Sequence, residues 1–183
     1  MILRNFIVIL VLTLSFGCNL KKKEKDVIIE LKNDVSLKEE NTDNIYREIT
    51  DLEKYAGFTK IVGMVLDGTE NALVYLQKDS LQVLVLEQII KDNPSKVNYK
   101  ILDEVRLITK KSILFSETTS CDLIENMSER FIFGIAKDQD KEYFDKDHLL
   151  GVWKINLSEK KFEPIESERV KCHNHWFGYD KDV

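Results

Sequence analysis

The chain has 183 residues, with 27 basic and 32 acidic side chains and a formal net charge of −5 at pH 7. Residues 1–17 contain Arg4 and no acidic residue, so the chain without them has 26 basic and 32 acidic side chains and a net charge of −6. Phosphate binding requires clustered lysine and arginine on a basic domain. We therefore expect no nucleic-acid partner.

Residues 1–17 have the layout of a secretory signal peptide. Arg4 is the only charged residue before Lys21, and the run from Phe6 to Phe16 is apolar at all but two positions. A helix needs about 20 apolar residues to cross a bilayer core, so this run is too short for a stable span. A buried core helix is the alternative, but the run has no amphipathic stripe. The pattern predicts export and removal of residues 1–17.

The segment Ser15-Phe16-Gly17-Cys18 resembles the lipobox of bacterial lipoproteins. In that family a diacylglycerol is attached to the cysteine and a dedicated signal peptidase cuts just before it. The resemblance therefore implies a mature chain that begins at a lipidated Cys18. The position of the usual leucine, three residues before the cysteine, is occupied by Ser15. The alternative is an ordinary signal peptide followed by an incidental thiol at Cys18.

The resemblance also implies a location in the bacterial cell envelope, with the membrane as a partner through the lipid. Each buried CH₂ contributes about 0.8 kcal/mol, so two or three acyl chains hold a protein firmly without a spanning helix. In lipoproteins an aspartate directly after the cysteine often marks retention in the inner membrane. Here that residue is Asn19, so the resemblance favours the outer membrane over the inner one.

Residues 18–42 are predicted to be the lipidated cysteine and a polar tether. Glu24 and Asp26 are interleaved with the lysines between positions 21 and 26, and mixed charge continues to Asn41. This composition is typical of a solvated segment. About 24 flexible residues would have an r.m.s. span of about 27 Å. The alternative is a lysine cluster drawn to anionic head groups. Val27-Ile28-Ile29 is a candidate short strand within the tether.

Residues 43–183 are long enough for a single domain with a hydrophobic core. At its start, four apolar residues recur at spacings of four, three and four, which predicts a helix with one apolar face: Ile45, Ile49, Leu52 and Ala56. Thr42 or Asp43 would cap this helix, and Gly57 would end it.

The remainder of the domain is predicted to be strands. Apolar or alternating runs bounded by polar turns occupy residues 60–66, 72–76, 81–90, 130–136 and 149–157, with shorter runs between 97 and 115 and at 161–165. Helices do not alternate with strands, which disfavours a parallel α/β fold. We predict a mainly β (α+β) fold, an antiparallel meander or sandwich of about six to eight strands with the helix packed on it.

The run 149–157 shows the clearest period of two. Leu149, Trp153, Ile155 and Leu157 are predicted to share one face of a half-buried strand. Trp153 is therefore expected in the core. Pro164, in the next run, suits an edge strand because proline cannot donate to a ladder.

Cys121 and Cys172 are the two cysteines besides Cys18. Export would place them in an oxidising compartment, where an isolated pair is expected to form one disulfide. The alternatives are two free thiols, or Cys172 as a metal ligand.

Two strings contain residue types that bind metals. Cys172-His173-Asn174-His175-Trp176 could supply ligands, but on a strand the histidines face away from the cysteine and the spacing of structural zinc sites is missing. Five acidic residues crowd one loop, but the sixth position counted from the first of them is a tyrosine instead of the glycine of a calcium loop: Asp138, Asp140, Glu142, Asp145 and Asp147. We predict neither a metal site nor a cofactor.

No recognised catalytic string is present: the sequence lacks a G-x-S-x-G elbow, S-x-x-K, H-E-x-x-H and a glycine-rich phosphate loop. No catalytic residue is therefore predicted. Two functions remain open. The first is a non-catalytic envelope lipoprotein that binds a protein, peptide or glycan, as an inhibitor or immunity-type module would. The second is an anchored hydrolase acting on envelope or surface polymers, with residues gathered near His148 and His173.

Overall fold

The computed structural model describes residues 29–30, 45–93, 96–109, 113–116, 121–175 and 177–178. Within these residues the fold is mainly β, as predicted, with eleven strands in three antiparallel sheets. The strands are β1 (Ile29–Glu30), β2 (Thr59–Val65), β3 (Asn71–Lys78), β4 (Leu81–Asn93), β5 (Lys96–Ile108), β6 (Ile113–Ser116), β7 (Cys121–Leu123), β8 (Ile132–Lys137), β9 (Leu149–Asn156), β10 (Lys161–Pro164) and β11 (Val170–Cys172).

A five-stranded sheet in the order β1-β5-β4-β3-β2 and a four-stranded sheet in the order β10-β9-β8-β6 form the body of the domain. The predicted hairpin of β3 and β4 is confirmed, with Lys78 opposite Leu81 across the turn. The two runs predicted between 97 and 108 are one strand, β5, with a register shift opposite Leu86 and Glu87. Pro164 ends β10 at the edge of its sheet, as expected.

The two sheets pack face to face as a sandwich. One cluster of buried side chains joins them, with contributions from β3, β4 and β5 on one side and β8, β9 and β10 on the other: Leu66, Leu73, Tyr75, Leu84, Leu86, Val105, Leu107, Phe133, Ile135, Trp153, Ile155 and Phe162. Alternation along each strand sends every second residue into this layer. The predicted sandwich is therefore the correct arrangement of the two that the sequence left open.

The side chain of Asp103, at the register shift of β5, links the two sheets by accepting a hydrogen bond from the backbone of β10. Its carboxylate accepts the backbone N–H of Glu104 at 2.9 Å and that of Phe162 at 2.7 Å. Phe162 lies on the edge strand β10, whose outer backbone groups would otherwise be free to pair with another chain. Asp103 accepts a hydrogen bond from one of these groups, the N–H of Phe162.

Residues 45–58 cover the outer face of the five-stranded sheet, but the predicted helix is wrong. The segment forms two 3₁₀ turns, Ile49–Asp51 and Glu53–Tyr55, separated by Leu52 in an extended conformation. Its inward side chains are three residues apart, which is the period of a 3₁₀ turn: Tyr46, Ile49, Leu52 and Tyr55. Ile45, which the helical pattern placed inside, is 53% exposed.

Two further points concern the ends of that segment. Tyr46 is held to β5 by reciprocal backbone hydrogen bonds with Tyr99, at 3.0 and 2.7 Å, and this pairing is incompatible with a helix at that position. Gly57 has a φ of +79° and turns the chain into β2, so it ends the segment as predicted. The predicted capping residues Thr42 and Asp43 lie outside the described residues.

The strands β7 and β11 form a two-stranded sheet over the outer face of the four-stranded sheet. Their apolar side chains pack with Ile132, Ala136 and Val152 of the four-stranded sheet, and with Phe144 from the loop between β8 and β9. Both outer faces of the sandwich are therefore covered, one by the 3₁₀ segment and the other by this strand pair.

Trp153 is a core residue, as predicted, and is 3% exposed on β9 between β8 and β10. Ile155 and Leu157 share its cluster, but Leu149 packs in the opposite layer, so its predicted facing is wrong. The reason is a register shift between Ile135 and Ala136 of β8, which leaves Leu150 as an extra residue in β9 and reverses the alternation.

The predicted tether contains a strand. Ile29 and Glu30 form β1 and pair with Ile108 and Leu107 of β5. The predicted signal peptide, Cys18 and the remainder of the predicted tether lie outside the described residues. In the part of the chain that the structure describes, no helix is long and apolar enough to cross a membrane.

We predict that Trp153→Ala will lower the free energy of unfolding by about 3–5 kcal/mol, because it removes buried surface and leaves a cavity between the sheets. The measurement is a urea titration of the purified protein. Ile45→Ala is the matched control, since that side chain is exposed and its loss should change the stability by less than about 0.5 kcal/mol. Equal costs for the two variants would contradict the packing described here.

Candidate functional site

Side chains able to carry chemistry are concentrated in the two outer layers. The first group, called here the Tyr–Glu cluster, comprises Tyr46, Lys54 and Tyr55 of the covering segment with Glu87, Glu104 and Arg106 of the sheet. The second group, called the C-terminal patch, comprises Tyr143, Lys171, His173, His175 and Phe177.

Glu87 is a carboxyl group enclosed by apolar neighbours. It follows Val83 and Val85 at intervals of two on β4, so it shares their outward, covered face, and it is only 2% exposed. The Tyr46 hydroxyl donates a hydrogen bond of 2.7 Å to its Oε1. Burial raises the pKa of Glu87, and the Tyr46 hydrogen bond and the charge of Lys60 offset only part of that rise.

Glu104 lies in the same layer but has charged partners. Lys54 Nζ is 2.7 Å from one carboxylate oxygen, Arg106 Nε is 2.8 Å from the other, and the Tyr55 hydroxyl also donates to it. Burial by itself would raise the pKa of Glu104, but the Lys54 and Tyr55 hydrogen bonds and the two positive charges outweigh it. The net result is a lowered pKa.

The two phenols of the Tyr–Glu cluster act as hydrogen-bond donors to the glutamates. Burial, followed by the adjacent carboxylates, raises the pKa of both Tyr46 and Tyr55, so both hydroxyls remain protonated. Glu87 is covered by Tyr46 and faces no solvent. The cluster therefore fastens the covering segment to the sheet.

The predicted disulfide between Cys121 and Cys172 is confirmed. The two residues are directly opposite each other on β7 and β11, with a Cα–Cα distance of 3.9 Å and 51 residues of sequence separation. Closing a loop of this length stabilises a fold by about 4 kcal/mol where restriction of the unfolded chain dominates. Because the Cys172 sulfur is in this bond, it is not a free thiolate for a metal.

The structure brings together the two strings that the sequence singled out. Phe144 N–H donates to the Cys172 carbonyl at 3.0 Å, and Asn174 N–H donates to the Glu142 carbonyl at 2.7 Å. The Asn174 side-chain amide also donates to the Gln139 carbonyl at 2.6 Å. Hydrogen bonds therefore join the acidic loop to β11 and to Asn174.

These hydrogen bonds bring Tyr143 of the loop beside Lys171 and His173 in the C-terminal patch. The rings of Tyr143 and His173 are 4.2 Å apart between centroids, and Lys171 Nζ lies 3.6 Å from the centre of the Tyr143 ring. His175 and Phe177 follow on the exposed side, and Phe177 is 47% exposed. Trp176 lies outside the described residues. Aromatic residues are enriched at protein interfaces, and this patch places aromatic rings beside the cross-linked strand β11.

Within the described stretches of chain, no group of three or more histidine, cysteine, aspartate and glutamate side chains is placed to hold a metal ion. His148 precedes β9, and its Nδ1 is buried with no hydrogen-bond partner among the described residues. Sequence reasoning named His148 and His173 but missed the Tyr–Glu cluster. The sequence does contain a signal for it, because Glu87 follows the buried residues Val83 and Val85 at intervals of two on the same strand.

Comparison with known proteins identifies no relative. The chain matches no protein-family model, and searches of curated proteins and of solved structures give no significant match.

We predict that Glu87→Gln will raise the free energy of unfolding at neutral pH. The amide oxygen still accepts from Tyr46, and no charge has to be buried. Because the pKa of Glu87 is raised in the folded state, its stabilising contribution is complete below the ordinary carboxyl range and is lost as the pH rises through the folded pKa. The advantage of the variant should therefore vanish in acid, as measured by urea titrations from pH 4 to pH 8.

Glu104→Gln is the matched control, because the pKa of Glu104 is shifted in the opposite direction. Its contribution is present above the ordinary carboxyl range and is lost as the pH falls through the folded pKa. This variant should lose about 1.5–3 kcal/mol at neutral pH, the scale of a hydrogen bond to a charged group. A loss of stability in both variants at neutral pH would contradict the contrast between the two sites.

Proposed function

We propose that this protein is an envelope-anchored bacterial lipoprotein whose domain binds a protein, peptide or glycan and does not catalyse a reaction. The anchor is a lipidated Cys18, and the location favoured is the outer membrane where one exists. The proposal rests on the export signal and lipobox resemblance at the start of the chain, and on the arrangement of the chemistry-bearing side chains in the domain.

The cysteines support the anchor. The chain has 3 cysteines, and the disulfide uses Cys121 and Cys172. A cross-link of this kind persists in the oxidising compartments outside the cytoplasm, which agrees with an exported chain. Cys18 is the third cysteine of the sequence, at the position where the lipobox pattern places the acyl group.

The observation that carries the binding function is the separation of the reactive groups. The buried glutamates lie in the outer layer of one sheet, and His173 lies in the outer layer of the other, with the sandwich core between them. The glutamates are engaged by tyrosines, lysine and arginine, and His173 packs on Tyr143. The C-terminal patch is the surface proposed to contact the partner.

The alternative, an anchored hydrolase, needs a nucleophile or activated water beside a base that substrate can reach. His148 and His173 were the residues named for that role. The ring of His173 is used for packing, and the Nδ1 of His148 is inside the fold. These placements support binding over hydrolysis.

Cys18→Ser tests the anchor. The variant should lose incorporation of labelled fatty acid, and most of the protein should move from the membrane fraction to the soluble fraction. Asn19→Ser is the matched control and should keep both the label and the membrane association. A mature wild-type N-terminus that mass spectrometry finds unmodified, beginning at another residue, would contradict the lipoprotein assignment.

Lys171→Ala combined with Phe177→Ala tests the binding surface. In pulldowns of the lipidated protein from its own membranes, this double variant should recover much less partner than wild type, with an apparent affinity about thirtyfold lower, since truncating hot-spot contact residues costs about 2 kcal/mol. Glu53→Ala, exposed on the opposite outer face, is the control and should recover the wild-type amount. Undiminished recovery by the double variant would place the contact elsewhere.

A further inference from the structure

We propose that the domain meets the bilayer with one particular end, and that this end contacts anionic lipid head groups. The end is defined by Ser80 and Thr109 and is called here the proximal end. The inference rests on the proposed lipid anchor at Cys18 and adds to it which surface faces the membrane.

The direction of β1 determines which end is proximal. Ile29 pairs with Ile108, and Glu30 pairs with Leu107 of the antiparallel strand β5. Moving from Glu30 back to Ile29 therefore runs toward the C-terminal end of β5. The chain that connects Ile29 to Cys18 leaves the sheet at that end.

The same end carries the turn between β3 and β4. Leu81 pairs with Ile108, and the Thr109 N–H donates to the Ser80 carbonyl at 2.9 Å. At the opposite end of the sheet lie Val97, near the start of β5, and Asp67, after β2. These residues mark the distal end.

Covalent geometry limits how far the domain can stand from its anchor. Ten residues lie between Cys18 and Ile29, and eleven Cα–Cα steps span at most about 40 Å when fully extended. The strand β5 has 13 residues, which corresponds to about 40 Å at 3.3 Å per residue. The segment from Cys18 to Ile29, called here the leash, is therefore no longer than the sheet. The proximal end lies nearer to the membrane than the distal end, unless the leash is fully extended and the domain is inverted.

The charge of the leash agrees with this orientation. Between Cys18 and Ile29 the sequence carries four lysines against two acidic residues, Glu24 and Asp26. In the domain itself, exposed Lys78 is balanced by exposed Asp79 at the proximal turn, and exposed Lys91 and Lys96 are balanced by Asp67 and Glu70 at the distal end. Lysines near an anionic leaflet contribute about 1 kcal/mol each, so the excess of lysine in the leash draws the end from which it leaves toward the lipid surface.

The experiment places a single fluorophore at either end of the full lipidated protein. Cys121 and Cys172 are bonded to each other and Cys18 is acylated under the proposal, so an introduced cysteine is the one reactive thiol. Ser80→Cys marks the proximal end and Val97→Cys marks the distal end. Both proteins are reconstituted into phosphatidylethanolamine–phosphatidylglycerol vesicles that carry a short-range quencher on the lipid head group.

We expect quenching at Ser80→Cys to exceed quenching at Val97→Cys at least threefold. Acylated, vesicle-bound protein with equal quenching at the two ends, or with more at Val97→Cys, would overturn the orientation and leave the lipoprotein assignment standing. Protein that mass spectrometry finds without an acyl group, and that does not float with the vesicles, would overturn the assignment and the orientation with it.

A second variant tests the role of β1. Ile29→Pro with Glu30→Pro removes both backbone donors of the strand, which releases β1 and extends the leash toward Ile45. The difference between the two labels should then fall at least twofold, while the urea midpoint of the domain confirms that the sandwich is intact. An undiminished difference in a folded domain would overturn the claim that β1 sets the orientation.

Discussion

The fold depends on one constraint: the central strands of both sheets are apolar on both faces. Val74, Leu76, Val83 and Val85 point away from the sandwich core yet are at most 3% exposed. Burying each such side chain contributes about 1.5–3 kcal/mol relative to leaving it in water. A sandwich of two sheets without the covering segments would leave these residues exposed to water. The 3₁₀ segment and the β7–β11 pair are therefore integral layers of the domain, and both clusters of functional groups exist because the covering layers bring polar side chains with them.

In the first of these layers, two glutamates in similar surroundings have opposite electrostatic behaviour. Glu87 is buried with a hydrogen bond from a phenol, whereas Glu104 is buried with a hydrogen bond from a phenol and direct ion pairs to two cations. A charge enclosed without a full complement of partners opposes folding, and one with them supports it. Because Tyr46 has to meet Glu87 and Tyr55 has to meet Glu104, the pair also defines how the covering segment lies across the sheet.

Sequence patterns predicted the strands well because the alternation of side chains and the polar turns are local properties. The hairpin of β3 and β4, the burial of Trp153 and the Cys121–Cys172 bond followed directly. The helix failed because its apolar set was chosen at spacings of four, three and four and omitted the tyrosines. Tyr46, Ile49, Leu52 and Tyr55 recur every three residues, and a backbone pairing with Tyr99 fixes the first of them. Leu149 failed because a register shift depends on the neighbouring strand. The tyrosines that donate to Glu87 and Glu104 come from a separate segment, and no local pattern encodes that meeting.

The disulfide has a consequence for the order in which an exported chain can fold. Cys172 lies 51 residues after Cys121, and β8, β9 and β10 all lie inside the loop that the bond closes. In a chain that is made and, under the proposal, exported N-terminus first, the second cysteine and β11 emerge only after all three of these strands. Until then Ile132, Ala136 and Val152 have no cover, and an apolar sheet face of this kind is prone to aggregate. That interval is when the nascent protein would depend most on a holding chaperone, and oxidation of the cysteine pair would end the dependence.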